Sequence, residues 1–390
     1  MKTKKLYDFD AYAVEFEASV LACVEIEANE GKRYEVILDQ TLFFPEEGGQ
    51  TPDKGSLGDA GVVDVQIKND CIKHYLTKPL EVGASVHGRI DWQHRFFNMQ
   101  QHSGEHLFSG LAYRKYGYKN VGFHLSDQIV TMDFDGVLTE AQLQEMEWEI
   151  NEAIVANVAI KTGYPSKEEL AQMEYRSKME IDGDVRIVEV EGYDLCACCA
   201  PHVRRTGEIG MFKIQSVQNY KGGVRISFLC GFRALEEYRK KAKIISDLSG
   251  ILTTNQDLLA DNVAKMKSQK QSMKAEHRNE KQTIMEEKIA KIPAEQADVI
   301  LFEQELENLV MRNTVNKLME THTGVCAVFA GTDAEGYNFI IGSKSVDCRE
   351  MAATLRKELH ARGGGSPQMI QGSVVAEQEK IVQQLLVKKK

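Results

Sequence analysis

The sequence predicts a multidomain α+β fold. A small β-barrel is expected over residues 1–91, an α+β unit over 92–232, a long helical arm or coiled coil over 233–292, and an α/β domain over 293–390. Three observations carry this. Short apolar strands and Gly- and Pro-containing turns fill the first segment. The second mixes the helical and the two-residue hydrophobic periods. The third lies in a stretch without proline, between Pro201 and Pro293, and is dense in charge.

Composition sets the outer bounds. A chain of 390 residues suits roughly two to four domains, and 43% hydrophobic residues are ample for packed cores. Asp and Glu number 58 against 48 Lys and Arg, a formal net charge of -10. That balance works against general nucleic-acid coating, so any RNA contact falls to local basic patches. No apolar run approaches the ~18 residues of a membrane span. The start, Met1 to Asp8, lacks the apolar core of a signal peptide. Of eight cysteines, only Cys196, Cys198 and Cys199 cluster. That pattern fits a reducing cytoplasm with one metal or thiol cluster, not a secreted disulfide framework.

Taken in order, Tyr34–Leu38 and Gly61–Ile67 read as strands. Between them, Thr41 to Gly55 holds two prolines and three glycines and reads as a structured turn region. Arg95–Tyr116 reads as a helix with Phe96, Met99, Leu107 and Leu111 among its apolar positions. Asn120–Phe134 returns to strand with a turn at Ser126-Asp127. Glu140–Ala156 is helical through Leu143, Met146, Ile150 and Ile154. Val185–Val190, Ile209–Gln215 and Gly223–Leu229 complete the unit as strands. Leu235 to Met266 carries a loose three-to-four apolar repeat, and the arm over 233–292 together with the C-terminal domain is expected to pair two chains. Beyond Pro293, helices are expected over Leu306–Glu320, Cys348–His360 and Gln378–Lys390, with strands at Val325–Ala330 and Phe339–Gly342. Gly363 to Pro367 reads as a flexible loop.

The chemistry concentrates in two places. His102 and His106 are four residues apart, so a helix presents both imidazoles on one face, where they can share a metal. Cys198 and His202 repeat that spacing ninety-odd residues later. Zinc accepts thiolate and imidazole, and four such ligands complete a tetrahedron. The expected site is therefore one zinc per chain on His102, His106, Cys198 and His202. Cys196 and Cys199 also lie close to His202; Cys198 is preferred for its spacing. Pro201 argues against a helix interior there. His102 to His106 also fits H-x-x-E-H, with Glu105 as a peptidase base. A thiolate and a third imidazole leave little room for a peptidase's water. A purely structural zinc is the stronger rival.

The chain resembles the alanyl-tRNA editing proteins of the AlaX family in their long form, and the editing half of alanyl-tRNA synthetase. Four segments carry the resemblance: Phe43 to Gln50, Gln100 to Leu107, Val121 to Ser126 with the strand to Asp133, and Cys198 to Gly210. A fifth, Gly363 to Gly372, is similar to the glycine loop of the DHH-associated domain. The match departs at Ala200-Pro201, where the family usually has Gly-Thr before the last ligand.

The resemblance implies a trans-editing hydrolase that cleaves the ester of tRNA(Ala) mischarged with serine or glycine. It makes 92–232 the editing domain and 293–390 a DHH-associated-like domain. A synthetase pocket rejects near-isosteres poorly, so a second site clears the errors. Glu105, His124, Ser126 and Gln50 are the candidate catalytic and pocket residues, each equally readable as a satisfied structural polar group. Zinc would either activate water or orient the substrate. Basic candidates for tRNA are Arg204 and Arg205, then Arg239, Lys240, Lys241 and Lys243, then Lys388, Lys389 and Lys390. The chain has no recognisable aminoacylation segment and is expected not to charge tRNA. The competing reading is a non-catalytic, zinc-stabilised RNA-binding or assembly module. Serine and glycine are not distinguished.

Overall fold

The computed structural model describes residues 2–28, 31–177 and 183–386. It divides into two compact units, Met1–Ile245 and Ser246–Lys390. The first opens with a closed six-stranded antiparallel barrel. Around the barrel the order is Glu15–Ala28, Gly31–Leu38, Cys71–Leu76, Ala60–Lys68, Gly55–Leu57 and Ser85–Ile90, which returns to the first. Closure leaves no open sheet edge. Val36, Leu38, Leu57, Val65, Ile72 and Leu76 fill it, with Phe43 and Phe44 from the turn region.

His74 is wholly buried among them, its ring edge-on to Phe43. Its Nδ1 lies 3.3 Å from the Val36 carbonyl and its Nε2 2.9 Å from Thr41 Oγ1. Burial drives the imidazole down to about 4, against a smaller opposing effect of the Val36 carbonyl. The unfolded chain therefore takes up this proton first as pH falls. Stability from this group is complete above about pH 6.5 and is lost on descending toward pH 4, at most about 3 kcal/mol. The urea midpoint of the wild type should fall more steeply over that window than that of His74→Gln. Equal slopes would show that His74 is not the linked group.

After the barrel, Asp91 caps a helix, α1, over Trp92–Tyr116, its side chain accepting from the His94 amide. Gly117, left-handed at φ 71°, ends it. From Asn98 to Ala112 every residue of α1 is buried. The helix is thus central, not amphipathic, and each polar side chain on it needs a partner. Around it lie α2, Glu140–Ala156, begun by a Thr139–Gln142 capping box, and two sheets. One runs in the order Phe212–Tyr220, Gly223–Cys230, Val130–Phe134, Asn120–Leu125; the other is Ile160–Gly163, Ile187–Val190, Asp194–Ala197. Phe108, Leu111, Met132, Met146, Ile150, Phe212 and Phe228 form their common core.

The second unit holds a five-stranded sheet in the order Val299–Glu303, Val325–Thr332, Gly336–Ser343, Met369–Val374, Arg362–Gly365. Val325, Ala327 and Phe329 belong to one core, and Cys326, Val328 and Ala330 to another. That alternation marks a strand covered on both faces. The glycine run expected as a flexible loop is instead strand, paired residue for residue from Arg362 to Gly365. Without side chains it lies close against its neighbour: a Cβ on Gly363 would sit 2.2 Å from the Gln371 carbonyl. The proline-free stretch forms two helices, Gly231–Leu252 and Leu259–Ala290, interrupted at Thr253, φ 50°. Lys388, Lys389 and Lys390 lie outside the described residues. Among those residues no helix is long and apolar enough to cross a membrane.

Candidate metal centre

The fold brings His102, His106, Cys198 and His202 together, with their ligand atoms all within 4.8 Å of one another. The two histidines of α1 supply one side. Cys198 and His202 supply the other, from irregular chain that follows the strand Asp194–Ala197. Their four-residue spacing is therefore not a helical one. Cys198 Sγ lies 3.5 Å from His102 Nε2 and 3.4 Å from His202 Nε2. All four residues are buried or nearly so.

Each imidazole is held from behind through Nδ1. His102 donates to Gln50 Oε1 at 2.9 Å, and His106 donates to Asp194 Oδ2 at 2.8 Å. His202 Nδ1 meets Ser103 Oγ at 3.0 Å. The three Nε2 atoms are left to face the thiol. This is the arrangement by which imidazole ligands are oriented for a metal. The donor set of three imidazoles and one thiolate suits zinc.

Electrostatics separate the three cysteines. Burial opposes ionisation of Cys198, but the imidazoles packed around its sulfur, His102 foremost, outweigh it and bring the thiol well below its ordinary value. Burial pushes Cys196 up to about 11. Burial, then the Cys198 and Glu47 charges, hold Cys199 well above its usual range. Cys198 alone of the trio is disposed to be a thiolate. Burial and the neighbouring His106 hold His202 neutral, down to about 3. Burial also opposes a charge on His106, yet Asp194 and Cys198 raise it.

Gln50 arrives on the turn Glu46 to Thr51. Leu125 donates to the Gly49 carbonyl at 2.7 Å, and Thr51 donates to the Leu125 carbonyl at 3.0 Å. Gly49 has φ 82°, and a Cβ there would lie 2.2 Å from the Phe123 carbonyl. Only glycine allows this docking. The buried Gln50 Nε2 has no hydrogen-bond partner among the described residues. Glu105 is buried beside the ligands. Its Oε1 accepts from Ser109 at 2.6 Å and from Asn120, and its Oε2 is 3.9 Å from His106 Nε2. His124 and Ser126 stand differently. His124 is exposed on its strand, and the Ser126 hydroxyl closes the turn to Ile129.

Arg204 and Arg205 are exposed, Arg204 at 3.1 Å from Asp10 and stacked on Tyr12, Arg205 donating to the Asn157 carbonyl. Arg239, Lys240, Lys241 and Lys243 are exposed on the helix Gly231–Leu252. Ala200 is fully buried against the barrel core, which gives its small side chain a packing role. Sequence reasoning missed Asp194, Ser103 and Arg176. For Asp194 a signal existed: Asp194, Cys196 and Cys198 alternate along one strand direction, so they share a face.

Residues 185–227 match the family described as the threonyl and alanyl tRNA synthetase second additional domain. Residues 2–94 match the family of tRNA synthetases class II (A). The alanyl-tRNA editing protein Aarsd1 of Danio rerio is 32% identical over 270 residues, 66% of each chain. Aarsd1-A of Xenopus laevis is 31% identical over 284 residues, 69% of this chain and 68% of that protein. An alanine–tRNA ligase of Ignicoccus hospitalis is 29% identical over 400 residues, 99% of this chain but 42% of the ligase. The chain thus spans about two thirds of the editing proteins and less than half of the ligase. Its sequence relatives and its domain matches place it alike: this chain belongs to the family of alanyl-tRNA editing proteins.

Proposed function

We propose that the chain hydrolyses the ester of tRNA(Ala) mischarged with serine or glycine, with one zinc ion held by His102, His106, Cys198 and His202. The observation that carries this is the buried set of three oriented imidazoles and a thiol, with the Gln50 Nε2 beside it lacking a partner among the described residues, in a chain of the editing family. Bound there, zinc supplies Lewis acidity toward water or toward the substrate's amino or ester group. Gln50 Nε2 is a buried donor without a partner among the described residues, which a substrate oxygen would satisfy. Glu105, fixed by Ser109 and Asn120, stands beside the ligands and can orient a water or an ammonium. Aminoacyl esters are labile, so positioning and charge stabilisation suffice without a covalent enzyme intermediate.

Arg204, Arg205 and the basic face from Arg239 to Lys243 are the proposed contacts to tRNA phosphates, in a cytoplasmic setting. A second copy is the proposed partner of the helix Leu259–Ala290, on which Val263, Met266 and Met273 are more than half exposed.

The test is to incubate the protein with Ser-, Gly- and Ala-tRNA(Ala) and follow deacylation. The wild type should clear the seryl or glycyl ester, or both, and spare the alanyl ester. Gln50→Leu, assayed at saturating zinc, should lose about tenfold to a hundredfold in rate, the effect of one buried hydrogen bond to a reacting group, and should also bind zinc more weakly because His102 loses its partner. Folded, zinc-loaded wild type that clears none of the three would leave the non-catalytic module, since four protein ligands also complete a structural site.

A further inference from the structure

The three imidazoles are not supported alike. His102 and His202 lean on neutral partners, Gln50 and Ser103. Behind His106 stands a buried charged pair. Asp194 Oδ2 accepts from His106 Nδ1 at 2.8 Å and from Arg176 Nη2 at 2.8 Å, while its Oδ1 accepts from Arg176 Nε at 2.7 Å. The Asp194 side chain is 1% exposed and that of Arg176 13%. Burying such a pair costs desolvation that a neutral partner would avoid. Nor can Arg176 drift. Its amide donates to the Leu195 carbonyl at 2.8 Å, and its carbonyl accepts from Ala197 at 2.9 Å, which staples it along the strand leading to Cys198.

We propose that Asp194 and Arg176 are positioning residues for the metal centre. Together they fix His106 in the tautomer that turns a bare Nε2 toward Cys198 and His202. This rests on the metal-dependent reading given above. A carboxylate only accepts, so the His106 nitrogen facing it must carry the hydrogen. The guanidinium fork holds the carboxylate in plane, as bidentate pairing does. Asp194, His106 and Cys196 also fall within metal-ligand distance of one another. Both Asp194 oxygens are already held by Arg176, which makes it the orienter of His106 and not a ligand. An asparagine at 194 keeps the shape but can offer its NH2 group to Nδ1, which would favour the tautomer with hydrogen on Nε2.

Zinc affinity is measured by competition with a chromophoric chelator for wild type, Asp194→Asn and Arg176→Met. The tautomer of His106 is read from imidazole nitrogen shifts in the metal-free proteins. Asp194→Asn should bind zinc about 10- to 100-fold more weakly, the usual cost of losing such a partner. Its His106 should shift toward the Nε2–H form. Arg176→Met, which keeps the carboxylate, should weaken zinc in the same direction and carries the test if Asp194→Asn does not fold. Zinc binding by both variants within about twofold of wild type, well inside that range, overturns the proposal. So does a wild-type His106 that carries its hydrogen on Nε2 and none on Nδ1. Deacylation of Ser-tRNA(Ala) by the same wild-type sample separates the two readings. An inactive wild type with the expected zinc losses sinks the hydrolase alone. An active one with unchanged variant affinities sinks this proposal alone. A wild type that binds no zinc sinks both.

Discussion

His106→Ala is expected to lose its metal and its deacylase activity together. The imidazole sits at the centre of the cluster, with Asp194 behind it and His202 4.6 Å away between ring centroids. Its removal leaves three donors and strands the Asp194–Arg176 pair. Zinc affinity should fall by more than the about 100-fold that marks the upper cost of losing an outer-shell partner. Cys198→Ser should behave alike, because a hydroxyl does not replace a thiolate toward zinc. Cys199→Ser should keep its zinc, since that thiol is held protonated by burial and by the charges of Cys198 and Glu47. Zinc content after dialysis against a chelator, set beside the rate on Ser-tRNA(Ala), checks all three. Cys199→Ser losing zinc while Cys198→Ser retains it would reassign the thiol ligand. His106→Ala retaining both zinc and rate would overturn the site.

The second large effect concerns stability. Arg95 and Asp53 are both fully buried. Arg95 Nε lies 2.9 Å and 3.0 Å from the two Asp53 oxygens, and Nη2 donates both to Asp53 and, at 2.6 Å, to the Leu42 carbonyl. Nη1 reaches the Ala11 carbonyl at 3.0 Å. Asp53 also accepts from the Phe44 amide at 2.6 Å. One guanidinium on α1 thereby holds the segment that continues into the Gln50 turn. Arg95→Met leaves an unpaired buried carboxylate, which costs about 3–5 kcal/mol. That is a large fraction of the about 5–15 kcal/mol that holds a domain folded. Asp53→Asn in the same chain should restore part of the loss, because a neutral amide is cheaper to bury unpaired. Denaturant midpoints of the two single variants and the double variant check this. An Arg95→Met midpoint equal to that of the wild type would show the pair to be solvated in solution.

Residue type and spacing alone were enough for much of the site. The i, i+4 histidines and the Cys198–His202 pair pointed to one cluster, and the structure brings those four side chains together. Element types followed where a period was sustained, as in Glu140–Ala156, whose limits the structure reproduces. Periodicity said little about α1, where burial on every side removes the contrast between faces on which a moment depends. It also missed the longest barrel strand, Glu15–Ala28, and misread the glycine strand Arg362–Gly365, where no side chains signal pairing.

Which polar partner stands behind each candidate ligand was decided by the tertiary structure alone. Gln50, Ser103 and Asp194 come from a barrel turn, the helix itself and a distant strand. Local sequence records a side chain's chemistry, but a hydrogen bond between residues up to ninety-nine positions apart exists only once the chain has closed around it. The same closure chose Cys198 from its two neighbours, by placing two imidazoles against one sulfur and leaving the other thiols against apolar walls and negative charge.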